Sequence, residues 1–272
     1  MYINTTGLVL RETAYKDSSK ILTVLTEAQG KLTVSARGVL RKNSKLTAVT
    51  QLLAFSEMTL YSSRDRWTLT EARSIEQFIG LRDDIALLTL GAYFAELTEA
   101  VADEDSPSPE LLPLCLNALF ALSEKIKPME YIKPAFELRL MAISGFAPLI
   151  GSCCVCGLDD PEYAFLVFSG GTIYCSGCYE TSDDTCFSNE QSAVPAVRHG
   201  VGMHEPETAG VCPLSRGALS AARYIISCDA KKLFSFTLSN ASLRELAAAT
   251  EGYMLAHLDR SFRTQDYYKG IK

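Results

Sequence analysis

The chain has 272 residues, too long for one small module and suited to two or three domains. With 47% apolar and 21% charged residues it is neither disordered throughout nor fibrous. The net charge of −6 argues against a chain that is basic overall, but the balance is uneven: residues 1–80 hold 11 Lys+Arg against 7 Asp+Glu (+4), and the remainder hold 15 against 25 (−10).

The first residues, MYINTTGLVLRE, lack the basic stretch and apolar block of a secretory signal. The most apolar run, Ile85 to Leu97, is shorter than the ~20 residues that span a bilayer, so no membrane partner is expected. These features point to the cytoplasm, where nine cysteines should be thiols or metal ligands rather than disulfides.

Within an expected N-terminal domain of residues 1–80, residues 5–75 read as β-structure. TTGLVLRET, KILTVLTEAQ, GKLTVSARG, FSEMTLYS and RWTLTEAR are short runs rich in Val, Leu, Thr and aromatics, with period-2 alternation. Gly30 marks a turn between the second and third, and LRKNSKLTAVTQLLA forms a longer connection after the third. Five strands with that insert predict an OB-type barrel; an SH3-like barrel is the competing arrangement.

This segment also holds the cations. No acidic residue occurs from Ala28 to Ser56, a stretch that carries Lys31, Arg37, Arg41, Lys42 and Lys45; Arg64 and Arg66 flank Asp65 at the next turn. Cations beside a barrel groove attract a phosphate backbone. Tyr15, Phe55, Tyr61 and Trp67 are nearby and could stack on bases if they face outward. A solvated basic face and core aromatics are the plain alternatives.

Residues 81–150 predict three helices that pack on one another, ending at Gly145 and Pro148. Residues 181–212 read as a polar loop. From Pro213 onward, LSRGALSAARYIISC and SLRELAAATEGYMLAHLDRSF predict two more helices, the second with Ser242 as N-cap and Glu245 completing a capping box. Together, 81–150 and 180–272 form the expected helical domain, with 151–179 inserted in it.

That insert contains Cys153-x2-Cys156, 18 intervening residues, and Cys175-x2-Cys178. Two CxxC turns can aim four sulfurs at one point and complete a tetrahedron around zinc. Gly157 and Gly177 suit the tight turns, and AFLVFSGGTIY predicts a hairpin about Gly170-Gly171. Four thiolates leave no open position, so one Zn2+ per chain would be structural. A redox dithiol or four unliganded core cysteines are the competing readings. Cys154 falls outside the pattern. So do Cys115 and Cys228, which read as buried apolar positions, and Cys186; Cys212 shares a loop with His199 and His204 at irregular spacing.

No phosphate loop, HExxH or nucleophile–base pair is present. HGVGMHE begins like a dinucleotide fingerprint but puts Glu205 where the last Gly belongs. The chain is expected to bind rather than catalyse.

The segments TTGLVLRETAYKDSSKILTVLTEAQGKLTVSARG, LLAFSEMTLYSSRDRWTLTEA and YIKPAFELRLMAISGFAP, followed by the four spaced cysteines, resemble the RecO family of bacterial recombination mediators. The likeness is strongest over residues 1–180. It implies an α+β multidomain chain: an N-terminal OB-fold, then a helical body with a four-cysteine zinc module. It also implies binding of single- and double-stranded DNA, strand annealing, and help to RecA in replacing single-strand-binding protein (SSB) together with RecR. Cys153, Cys156, Cys175 and Cys178 match the family's zinc ligands, and Arg37, Arg41, Lys42 and Lys45 its basic barrel segment. The acidic remainder leaves a second reading open, a zinc-ribbon scaffold for protein partners without nucleic-acid contact.

Overall fold

The computed structural model describes residues 1–64, 66–181 and 210–271. Asp65, Cys186, His199 and His204 lie outside them. The described chain divides into two compact units, Met1–Met129 with Phe262–Lys272, and Glu130–Ser261.

The first unit is built on a closed barrel of β1 (Tyr2–Tyr15), β2 (Ser19–Thr26), β3 (Gly30–Ala36), β4 (Phe55–Ser63) and β5 (Arg66–Glu76), in the order β1-β2-β3-β5-β4. The pairings are antiparallel except β3 with β5, where Val34 meets Trp67 and Ser35 meets Thr68 in parallel. This is the five-stranded OB arrangement. Alternation fixes which side chains enter: Val9, Leu22, Val24, Leu32, Val34, Met58, Leu60 and Leu69 fill the barrel. A bulge between Val9 and Arg11 lets the long β1 pair with β4 through its first half and β2 through its second.

Helices α1 (Ile85–Val101), α2 (Leu111–Ser123) and α7 (Arg263–Ile271) complete this unit. α7 was not expected. Its polar sequence meets α1 where Phe262 sets its ring edge-on to Tyr93 at 6.1 Å and Thr264 N–H donates to Glu96 Oε2 at 3.1 Å, and it buries Gln265 and Tyr268.

The second unit contains α3 (Met129–Met141), α4 (Ser176–Thr181), α5 (Arg216–Ser227) and α6 (Asn240–Leu258). Its four-stranded sheet runs β6-β8-β7-β9, from β6 (Leu149–Cys153), β7 (Tyr163–Val167), β8 (Thr172–Cys175) and β9 (Val211–Ser215). The cysteine segment is therefore continuous with its surroundings: β9, expected as loop and helix start, pairs along β7 from Tyr163 to Val167. The expected trio of helices also splits, because α3 belongs to this unit while α1 and α2 belong to the barrel. Inside it, the buried Lys133 lies 2.7 Å from Glu137 and 2.5 Å from Glu251, joining α3 to α6 by paired charge. The cap of α6 also differs from expectation. Ser239 accepts from the Ser242 N–H, while Glu245 reaches across to the Ser215 N–H that opens α5.

Candidate nucleic-acid interface and metal centre

The face that OB barrels commonly offer to oligonucleotides is the outside of β2 and β3. Here part of that face, around Thr23 and Lys31, is engaged from within the same unit. Glu99 of α1 pairs with Arg11 at 2.8 Å and accepts from Thr23 Oγ1 at 3.4 Å. Lys31 spends its ammonium on the Glu99 carbonyl at 3.1 Å, and its backbone exchanges hydrogen bonds with Asp103 and Asp105. Gly30 lies so close to this segment that a Cβ would stand 2.1 Å from the Ser106 carbonyl oxygen, and its φ of +67° is one only glycine adopts easily. Lys31 is thus a C-terminal partner of α1, held apart from the other cations.

Those others are exposed. Arg37, Arg41, Lys42 and Lys45 ride the connection between β3 and β4; Arg64 lies in the turn between β4 and β5, and Arg66 opens β5. The loop of residues 37–47 is shaped by successive turns: Arg41 N–H donates to Gly38, Ser44 to Arg41, and Thr47 Oγ1 to Val39 at 2.8 Å. Val39 is fully buried and Leu46 packs on the barrel core, so the loop is pinned by apolar side chains while its cations project. Among the described residues these six cations form no ion pair.

Sequence reasoning missed Lys16. It lies in the turn between β1 and β2, which is bonded to the basic loop by Leu40 N–H to Ser18 O at 3.0 Å and Gly38 N–H to Ser19 Oγ at 3.3 Å. Its ammonium stands 5.2 Å from the ring centre of the exposed Tyr15. Only this turn-to-loop pairing reveals it. Of the four aromatics named from sequence, Tyr15 and Tyr61 face water, Phe55 is half-buried, and Trp67 packs against the barrel core.

The second centre lies in the sheet of the second unit. The sulfurs of Cys153, Cys156, Cys175 and Cys178 all fall within 4.8 Å of one another, and Cys156 Sγ is 3.7 Å from Cys175 Sγ. Thiolates at about 2.3 Å from a tetrahedral metal would stand about 3.8 Å apart, so the spacing suits one ion. β6 and β8 run parallel and deliver Cys153 and Cys175 side by side; each then turns, the first into a knuckle closed by Gly157 N–H to Cys153 O at 2.9 Å, the second into α4. Gly157 has φ +73°, as such a turn requires; Gly177 lies within α4 and needs no such freedom. Phe165 stacks on Tyr179 at 4.1 Å and fixes α4 to the sheet.

The thiols are already polarised for a cation. Burial opposes ionisation of Cys153, but the amides of Cys156, Cys175 and Val155 donate toward its sulfur and bring it down to about 6. Hydrogen bonds with Cys175 and Cys156 hold the Cys178 thiol up at about 12, with the charge on Cys153 adding to the effect. One thiolate is welcomed and further ones are opposed, the imbalance a divalent cation removes. This four-cysteine group could hold a metal ion.

Cys154 points away, exposed. Cys115 is buried on α2 and its thiol is pushed up to about 12, while burial and then the Glu245 carboxylate put Cys212 at about 11. Both are inert apolar positions rather than ligands. Cys228 caps the C-terminal end of α5 and is half-buried.

The comparisons with known proteins agree with this architecture. A family model described as recombination protein O N terminal matches residues 1–78, and one described as recombination protein O C terminal matches 82–193 and 174–266. The chain belongs to the RecO family. A DNA repair protein RecO from Acetivibrio thermocellus is 30% identical over 270 residues, 99% of this chain and 97% of the relative. Its namesake in Caldicellulosiruptor bescii is 34% identical over 181 residues, covering 66% of this chain and 74% of that one. Another, from Symbiobacterium thermophilum, is 26% identical over 273 residues, 99% and 97% of the two chains. The RecO family is one of DNA repair proteins, and the five-stranded barrel occupies its N-terminal domain. No helix among the described residues is long and apolar enough to cross a membrane.

Proposed function

We propose that this chain binds single- and double-stranded DNA, anneals complementary strands, and with RecR helps RecA replace SSB in the cytoplasm, without catalytic turnover. The observation that carries the reading is the exposed cation set on the 37–47 loop of a RecO-type barrel, which forms no ion pair among the described residues. With Lys31 engaged by α1, the expected contact falls on the loops, where Arg37, Arg41, Lys42 and Lys45 lie, with Lys16, Arg64 and Arg66 as further members.

Neutralising phosphates releases counterions, so affinity for single strands falls with log salt at a slope near −0.7 per contact. About five contacts give a slope near −3.5. Replacing Arg37, Arg41, Lys42 and Lys45 together by Ala is expected to flatten that slope toward the value of the remaining cations, read by fluorescence anisotropy across a salt series. An unchanged slope would remove these residues from the interface. Absence of binding at micromolar protein and low salt would favour the scaffold reading, which the −10 balance outside residues 1–80 suggests.

The metal is proposed to be zinc. Cys153, Cys156, Cys175 and Cys178 would hold it with no position left for substrate, and its binding would supply on the order of 10 kcal/mol toward folding of the segment. The chain's own residues do the rest: Cys153 and Cys175 are set by paired strands, and the other two by the turns that follow.

A further inference from the structure

Tyr2 and Tyr61 stand opposite each other on β1 and β4, with ring centres 4.8 Å apart and planes tilted by 42°. They are 67% and 36% exposed. The barrel does not need them for its core, since the next inward position, Leu60, is fully buried beneath.

The strand register extends the row. Tyr61 pairs with Thr68, and Thr68 pairs with Ser35 where β5 closes on β3. Val34, Trp67 and Leu69 turn inward, so Thr68 and Ser35 share the outer face with Tyr61. Two strand spacings, about 10 Å, therefore separate the aromatic pair from Ser35. Arg37, two residues beyond Ser35, is exposed where β3 gives way to the basic loop. Arg66, two residues before Thr68, is the diagonal neighbour of Tyr61. The row Tyr2, Tyr61, Thr68, Ser35 contains no acidic side chain. Farther along β4 and β5, Glu57 and Glu71, with Glu27 of the turn after β2, outnumber Arg73 in a groove of net negative charge.

We infer that this row is a subsite for unpaired bases, with Tyr61 and Tyr2 as the stacking faces and Arg37 and Arg66 holding the backbone on either side. The inference rests on the DNA-binding reading above and adds which part of the nucleic acid is taken here. Paired bases have both faces occupied by their neighbours in the duplex, so an exposed ring can capture only a base that has left the stack. Thr68 and Ser35 are short enough to let the strand lie close and carry hydroxyls for its phosphates.

The test compares a labelled oligothymidylate with an abasic oligomer of equal length and equal phosphate count. Tyr2→Ala combined with Tyr61→Ala is expected to weaken oligothymidylate binding roughly ten-fold or more. Binding of the abasic oligomer and the salt slope should not change. Tyr2→Phe with Tyr61→Phe should restore wild-type affinity, which also controls for folding. Equal losses on both oligomers, or no loss on either, overturn the subsite while leaving DNA binding intact. If the unmodified chain binds neither oligomer, the underlying reading falls and the subsite with it. Independently of any variant, photocrosslinking an oligomer carrying 5-iodouracil should label peptides containing Tyr2 or Tyr61; labelling confined to other peptides overturns the inference.

Discussion

Cys154 is next in sequence to Cys153 and contributes nothing to the four-sulfur cluster. Its side chain is exposed, and its amide donates to Ile173 O at 2.9 Å, which holds the knuckle to β8 by backbone alone. Cys154→Ser should therefore keep one metal per chain by elemental analysis, whereas Cys153→Ser or Cys156→Ser should lose it; a metal-free Cys154→Ser protein would show the register to be misread. This register was legible from sequence because two sulfurs reach one ion only at fixed spacing. The fate of Lys31 was not. Its charge looks like that of Arg37, and only the approach of Glu99, 68 positions later in the chain, separates a helix-end partner from a free cation.

Arg223 of α5 controls an element to which it does not belong. Its guanidinium donates to the carbonyls of Ile150 at 2.7 Å, Gly151 at 2.8 Å and Asp159 at 2.6 Å, on both sides of the first cysteine knuckle. The planar fork holds the turn closed before any metal arrives. Residues that orient metal ligands in this way commonly contribute 10–100-fold to affinity. Arg223→Gln should lower metal affinity by about that range in competition with a chromogenic chelator, and Arg223→Lys should rescue it poorly, because one ammonium cannot span three carbonyls; unchanged affinity in both would assign Arg223 to α5 packing alone. Strands of the barrel were readable since alternation is local and each hairpin partner follows at once. β9 was hidden for the opposite reason: its five residues acquire strand character from β7, more than 40 positions earlier. α7 was hidden because it is polar on most of its surface and anchored chiefly by Phe262, Gln265 and Tyr268.

For the whole molecule, the uneven charge of the sequence now has a physical address. The basic excess of residues 1–80 lies in one unit, and the four cysteines that could hold a metal belong to the other. Stability should divide in the same way. Stripping the metal with a strong chelator should speed amide exchange in β6–β9 while the β1–β5 amides keep their protection, and DNA binding measured on the same sample should survive. Loss of protection in both units would mean that the cluster supports the whole chain. Domain boundaries drawn from composition at 80 and 150 differ from those of the structure at 129 and 261, because composition registers a change from strand to helix and says nothing about which helix packs on which core.

The return of α7 to α1 makes the second unit an insertion within the first. A ribosome delivering this chain would complete the barrel strands early, yet Tyr93 would have no Phe262 to pack against until the whole second unit had been translated. The first unit to emerge is thus the last to be finished. A chain shortened before Phe262 would emerge with its four-cysteine sheet entire and with the apolar ring of Tyr93 uncovered beside the barrel, the kind of surface that chaperones and proteases recognise.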